Sequence, residues 1–338
     1  MVCDRLSKYA SFCPSLNYRK YMEKVACVCG ASALELYRAS KRLIPTLLDK
    51  PRTGSLRGCT MPPAIHLADE MQRYGVAAHP YHLLLDGDNT GFEREDVIRH
   101  IGKNPLPPRA LIKLSRSLYV ASPELLFLQL ATFEKPDVID LIEIGYELCG
   151  TYVLDNSWDG LTEIDKSLTS THKIGNFIEK MSGSNGVKLA KQALCHVNDR
   201  SNSPMESVLA MLVSLPTRMG GLGLGPIALN HPVATPLGPR RPDILFTKYR
   251  VGLEYKGKEY HSVEAVGRDD RRQNKLVGSG VTILNVWYED LVNEHLFEQL
   301  TTDLFRALGI RKRIRAKGFE TKQALLRLQL MPVIERFG

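Results

Sequence analysis

The chain has 338 residues, of which 43% are hydrophobic and 24% are charged, values that are ordinary for a folded globular protein with one large domain or two. No apolar run is long enough to span a bilayer, and the N-terminus lacks a basic-then-apolar signal pattern, so we expect a cytoplasmic protein without a membrane partner. The seven cysteines form no Cys-x-x-Cys pair, which argues against a structural zinc site.

Residues 1–195 are predicted to form a mostly helical N-terminal domain. Residues 31–48, 122–131 and 138–148 carry apolar positions at helical spacing, and the last of these segments is followed by Gly150. The polar residues 196–203, rich in Asn and Ser, are the predicted linker to a second domain.

An Asp-rich turn follows an apolar run within residues 82–91. Asp86 and Asp88 belong to an Asp-x-Asp-x-Thr motif that resembles the nucleophile loop of haloacid-dehalogenase-like phosphatases. The motif also begins like a calcium-binding loop, although Val97 stands where the twelfth position needs Glu. Because residues 92–200 read as mostly helical rather than as a βα series, we favour a plain turn and keep the phosphatase as an alternative function.

A helix is predicted to begin at residue 204. Ser203 suits the N-cap, Pro204 the first helical position and Glu206 the third, and together they form a capping box ahead of an apolar run. Capping alone accounts for a Glu at this position.

Residues 241–246 and 251–257 are two apolar runs separated by a short polar break, a pattern that predicts a β-hairpin. Glu254 and Lys256 alternate with apolar residues and so project from one strand face, and the hairpin brings Asp243 beside Glu254. Two carboxylates bind Mg²⁺, and an ammonium can orient or deprotonate the attacking water in phosphodiester hydrolysis. The alternative is a surface hairpin whose solvated face happens to carry Glu and Lys.

The following sequence resembles the very-short-patch-repair-like branch of the restriction-endonuclease-like, or PD-(D/E)xK, superfamily. That branch has a Glu-x-x-Gly strand, a downstream His, an Asp-x-x-Arg helix, a Gly-x-x-Val strand and an acidic helix start. The matching elements here are Glu254 to Gly257, His261, Asp269 to Arg272, Gly280 to Ile283, and Glu289 with Asp290. The chain departs from the branch at Lys256, where many members have Asp.

The resemblance implies an α/β protein in which residues 204–310 form a restriction-endonuclease-like domain, a mixed central β-sheet flanked by helices. It implies cleavage of DNA with Mg²⁺ or Mn²⁺, in genome defence or repair. The implied metal ligands are Asp243, Glu254, the Tyr255 carbonyl and Glu206, with Lys256 orienting the water.

The implied nucleic-acid contacts beside this site are His261, Arg271 and Arg272. Residues 1–195 resemble regions of bacterial abortive-infection and defence proteins, which implies a toxin or defence-system protein as a partner. A catalytically inactive DNA-binding or antitoxin-like module is a further alternative for the whole chain.

Positive charge is concentrated near the C-terminus. Residues 306–338 hold nine Lys or Arg against two acidic residues, a net charge of +7 out of the formal +8. We predict that residues 311–338 form a basic tail, part of which packs on the protein, and that its densest block contacts DNA phosphates. The residues of that block are Arg311, Lys312, Arg313, Arg315 and Lys317. The alternative is a solvated terminal helix without a partner.

Overall fold

The computed structural model describes residues 25–40, 44–87, 93–102, 105–133, 136–155, 160–235, 238–257 and 278–338. The chain divides into two compact units, Met1–Gln129 and Leu130–Gly338. Among the described residues, no helix is both long and apolar enough to cross a membrane.

The described part of the first unit contains six strands and their connecting helices. Its elements are β1 Ala26–Val28, α1 Gly30–Ala39, α2 Ile44–Leu48, β2 Arg52–Thr53, α3 Ala64–Arg73, β3 Tyr81–Asp86, β4 Val97–Gly102, β5 Leu111–Lys113, β6 Leu118–Ala121 and the start of α4, Pro123–Phe133. The strands form one sheet in the order β2-β5-β6-β1-β3-β4, in which β1–β6 and β3–β4 are parallel and the other pairs antiparallel.

The prediction of a mostly helical N-terminal region is wrong for this unit. Its strands β5 and β6 are only three and four residues long. Leu111, Ile112, Val120 and Ala121 are all fully buried, so neighbouring residues on both faces of the sheet are apolar. A strand covered on both faces has no polar–apolar alternation, and a short apolar run of this kind cannot be told from a helix by periodicity.

The second unit combines helices, a small hairpin and a four-stranded sheet. Its elements after α4 are α5 Val138–Cys149, β7 Tyr152–Leu154, β8 Leu161–Glu163, α6 Thr171–Lys180, α7 Val187–Leu194, α8 Pro204–Ser214, a 3₁₀ turn Thr217–Met219, β9 Ala228–Leu229, β10 Ile244–Phe246, β11 Val251–Lys256, β12 Thr282–Trp287, α9 Tyr288–Val292, α10 Glu294–Ala307 and α11 Phe319–Phe337. The chain is therefore a mixed α/β protein, as predicted. The helices predicted at 122–131 and 138–148 are confirmed as α4 and α5, whereas the segment 31–48 contains two helices, α1 and α2. The segment 196–203, predicted as an interdomain linker, lies inside this unit between α7 and α8.

The four-stranded sheet of the second unit has the order β12-β11-β10-β9. Strands β9, β10 and β11 are antiparallel neighbours, and β12 returns parallel to β11. The predicted hairpin between residues 246 and 251 is thus confirmed. The helix α8 packs on β11, and its residues from Pro204 to Val213 are all buried.

The C-terminal helix α11 is an integral part of the second unit. It packs against α8 and the 3₁₀ turn, where a Cβ added at Gly220 would lie 2.3 Å from the Lys322 carbonyl oxygen. Arg327 is buried, donates to the Leu291 carbonyl from Nε at 3.1 Å and Nη2 at 2.9 Å, and covers the Phe297 ring. The prediction of a basic tail over residues 311–338 is corrected accordingly: residues 319–337 form a packed helix, on which Arg336 is exposed, and the exposed basic block precedes this helix.

Leu330→Ala is expected to lower the free energy of unfolding by about 2–5 kcal/mol, because Leu330 is fully buried on α11 and its truncation leaves a cavity. Leu328→Ala is the matched control on the same helix, since Leu328 is 65% exposed, and it should change stability by less than about 0.5 kcal/mol. Urea unfolding measures both. Equal effects of the two variants would contradict the packed helix.

Candidate functional site

Asp243 and Glu254 stand opposite each other on the hairpin. Ile244 pairs with Leu253 in the antiparallel register, so the preceding residue Asp243 faces Glu254. The Asp243 carboxylate accepts a hydrogen bond from the Tyr255 backbone N–H at 2.8 Å. The hairpin therefore brings Asp243 beside Glu254 in the sheet, as predicted.

Glu254 and Lys256 are buried, with 4% and 7% of their surfaces exposed. Lys256 Nζ donates to Glu254 Oε2 at 3.2 Å. The other oxygen, Glu254 Oε1, is buried without a hydrogen-bond partner in the described structure. The interpretation as a solvated surface hairpin is therefore wrong, because both side chains are buried. A buried carboxylate with an unpaired oxygen also carries a desolvation cost that a solvated carboxylate avoids.

Glu206 adds a third carboxyl group from the first turn of α8. Its backbone N–H donates to Ser203 Oγ at 3.1 Å, which confirms the predicted N-cap. Its side chain departs from the predicted capping box, since Oε2 accepts from the Asn202 N–H at 2.9 Å. Burial, followed by the negative charge of Asp243, raises the pKa of Glu206 from 4.5 to about 8, against the hydrogen bonds that lower it.

Asn230 joins Glu206 to the sheet, a role that no local sequence pattern indicates. It follows β9 with a φ of 47°, a left-handed conformation that Asn tolerates better than most residues. Its Nδ2 donates to Glu206 Oε2 at 2.6 Å, and its backbone N–H donates to the Asp243 carbonyl at 3.1 Å. Since these bonds link residues far apart in the chain, only the folded sheet reveals them.

The polar side chains form a row across the sheet. Asn230 and Glu254 each lie beside Asp243, and Asn285 of β12 pairs with Glu254 on the other side. Paired residues of neighbouring strands project to the same face, so Glu254 and Asn285 share one face, and Asp243 and Asn230 continue the row just outside β10 and β9. We call Asn230, Asp243, Glu254 and Asn285 the polar row.

The other predicted nucleic-acid contacts divide into two groups. His261, Arg271 and Arg272 lie outside the described residues, as does Asp269. The basic block lies on the segment between α10 and α11, and its members are all exposed: Arg311, Lys312, Arg313, Arg315 and Lys317.

Asp86, the proposed phosphatase nucleophile, ends strand β3 and is buried. Asp88 lies outside the described residues. Strand β3 pairs antiparallel with β1 and parallel with β4, so its sheet is mixed and not the parallel βα series that the phosphatase interpretation needs. A strand rather than a helix also precedes Asp86, so the resemblance to a calcium-binding loop gains no support.

The donor atoms near the polar row suit a hard divalent cation. Asp243, Glu254 and the Tyr255 carbonyl offer oxygen, the ligand type that Mg²⁺ and Mn²⁺ prefer. Within the described ranges, no group of three or more His, Cys, Asp or Glu side chains is arranged to hold a metal. Mg²⁺ commonly uses one or two carboxylates together with water and substrate phosphate, so two carboxylates, one with a buried unpaired oxygen, fit such an ion.

Comparisons with family models, with curated proteins and with solved structures found no match to this chain.

Glu206→Gln is expected to reduce the pH dependence of stability. Between pH 4.5 and pH 8 the folded protein keeps a proton on Glu206 that the unfolded chain releases. The contribution of this group to the free energy of unfolding is therefore lost as pH rises towards 8. Gln keeps an acceptor oxygen for Asn202 and Asn230 without the charge. At pH 8 the free energy of unfolding of the variant should exceed that of the wild type by about 1 kcal/mol or more. Near pH 5 the two free energies should converge.

Urea unfolding in EDTA at pH 5, 6.5 and 8 measures this difference, and Glu320→Gln on the exposed surface of α11 is the matched control. Parallel pH profiles of wild type and Glu206→Gln would contradict a buried protonated carboxyl group.

Proposed function

We propose that the chain is a metal-dependent endonuclease that hydrolyses phosphodiester bonds in DNA. The observation that carries this proposal is the meeting of Asp243, Glu254 and Lys256 on one sheet face, with Glu254 Oε1 buried and unpaired. The order of helix α8, antiparallel hairpin and parallel strand β12 agrees with the restriction-endonuclease-like domain that the motifs imply. Genome defence or repair is the setting that the same resemblance implies.

Asp243, Glu254 and the Tyr255 carbonyl would hold Mg²⁺ or Mn²⁺, and Glu206 would assist from α8. The bound ion would polarise a phosphoryl oxygen and offset the charge of the transition state. Lys256 is held in place by its bond to Glu254, so its ammonium can orient the attacking water or donate to a phosphate oxygen. Glu206 has a pKa of about 8, so it can exchange a proton near neutral pH beside Asp243.

The basic block would extend the contact with DNA beyond the scissile phosphate. Its five side chains are exposed, carry one sign of charge and lie on a short segment that also leads into the packed helix α11. Clustered Lys and Arg neutralise backbone phosphates and release counterions, which gives affinity without sequence specificity.

Lys256→Ala is expected to lower Mg²⁺-dependent cleavage of supercoiled plasmid by about 100-fold or more, because it removes the buried ammonium beside the carboxylates. Lys248→Ala, in the exposed turn of the same hairpin, is the matched control and should cleave like the wild type. EDTA should abolish cleavage in all three proteins. Plasmid cleavage that survives in a correctly folded Lys256→Ala protein would overturn the site assignment, and DNA binding without cleavage by the wild type would favour an inactive binding module.

Replacing Arg311, Lys312 and Arg313 by Ala is expected to weaken DNA binding and to lower its salt dependence. The slope of log K against log salt should fall in magnitude by about 2–3, since each lost phosphate contact removes slightly less than one unit. The matched control replaces three exposed lysines by Ala: Lys173 and Lys180 of α6 and Lys188 of α7. Fluorescence anisotropy at several salt concentrations measures the slopes, and equal slopes for the two triple variants would contradict a specific role of the basic block.

A further inference from the structure

Trp287 lies next to Lys256 on the face that carries the polar row. It is the last residue of β12 and pairs with Lys256 in the parallel ladder, so both side chains project to one face. Its backbone N–H donates to Asp290 Oδ2 at 2.8 Å, which fixes the main chain at the start of α9. The indole is nevertheless 42% exposed, which is a large apolar surface to leave in water.

The side chains of β12 on this face change in character along the strand. Ile283 is buried against Leu245 and Val281, Asn285 belongs to the polar row, and Trp287 is exposed. The face therefore runs from an apolar base through the carboxylates to an accessible aromatic ring. Trp287 is the last residue of β12 and stands two positions beyond Asn285 on the same face.

An accessible indole beside an ammonium matches the two parts of a nucleotide. The lysine suits a phosphate, and the flat ring suits a nucleobase, since aromatic side chains bind bases by stacking. Adjacent strands lie about 4.8 Å apart, so the ring and the ammonium are close enough to contact neighbouring parts of one strand of nucleic acid. Bases inside a duplex are already stacked on each other, so this contact requires an unpaired base.

We propose that Trp287 is a stacking platform for an unpaired base next to the phosphate bound at Lys256, and that the substrate is single-stranded or locally unpaired DNA. This inference rests on the proposed function for the phosphate site. The capping of α9 does not account for the exposed ring, because the capping bond uses the backbone N–H of Trp287 and the Asp290 side chain.

The test measures binding in EDTA, so it does not depend on catalysis. The chain has two Trp residues, and Trp158 lies outside the described residues, so Trp158→Phe leaves Trp287 as the single tryptophan, which can be excited selectively over tyrosine. A 15-nucleotide oligo-dT should quench Trp287 fluorescence and bind more tightly than a 15-base-pair duplex. Trp287→Ala should weaken oligo-dT binding by about 10- to 100-fold with little effect on the duplex, and Trp287→Phe should retain most of the affinity.

Ile65→Ala is the matched control for loss of an exposed apolar side chain, because Ile65 is 69% exposed on α3, and it should bind both DNAs like the wild type. Oligo-dT binding without quenching, equal binding by Trp287→Ala, or absence of binding at low salt would each overturn the inference. The proposed function is tested separately by adding Mg²⁺ to the same oligonucleotide. Quenching without cleavage would support Trp287 as a stacking platform and contradict the nuclease. Cleavage together with unchanged oligo-dT binding by Trp287→Ala would support the nuclease and contradict the stacking platform.

Discussion

The burial of the Glu254 carboxylate is the constraint on which the surrounding structure depends. Removing an ion from water costs several kcal/mol, and this cost is offset only by close partners. Lys256 supplies one bond, to Oε2, but Oε1 is left unpaired, and Asp243 faces the same position. A sheet optimised for stability alone would carry apolar side chains here. These buried charges are the feature that supports the proposed binding of a metal and a phosphate.

Helix α8 and the sheet hold each other through polar contacts as well as apolar packing. Asn230 bonds to Glu206 on the helix and to the Asp243 backbone in the sheet, and its Nδ2 also donates to the Arg200 carbonyl at 2.9 Å. One left-handed residue thus ties three segments of the chain together. A change at Asn230 would act on the Glu206 carboxyl group directly and on Asp243 through its backbone carbonyl.

Local patterns in the sequence predicted the parts of the site that are themselves local. The alternation of Glu254 and Lys256 and the polar break of the hairpin depend on a few neighbouring residues, as does the Ser203 cap. Asn230 and the buried Arg327 were missed because their partners are distant in sequence, and an arginine normally stays in solvent. Strands β5 and β6 of the first sheet were missed because they are short and carry buried apolar residues on both faces.

The shortness of β10 gives Asp243 a second role. A three-residue strand offers few ladder bonds to fix its alignment, and a slip by one residue would turn every side chain of the strand to the opposite face. The bonds of Asp243 to the Tyr255 N–H and of its carbonyl to Asn230 lie just beyond the strand and oppose such a slip. The carboxylate that would bind the metal therefore also stabilises the correct strand pairing. Replacing Asp243 would remove a proposed metal ligand and a contact that aligns β10 with β11.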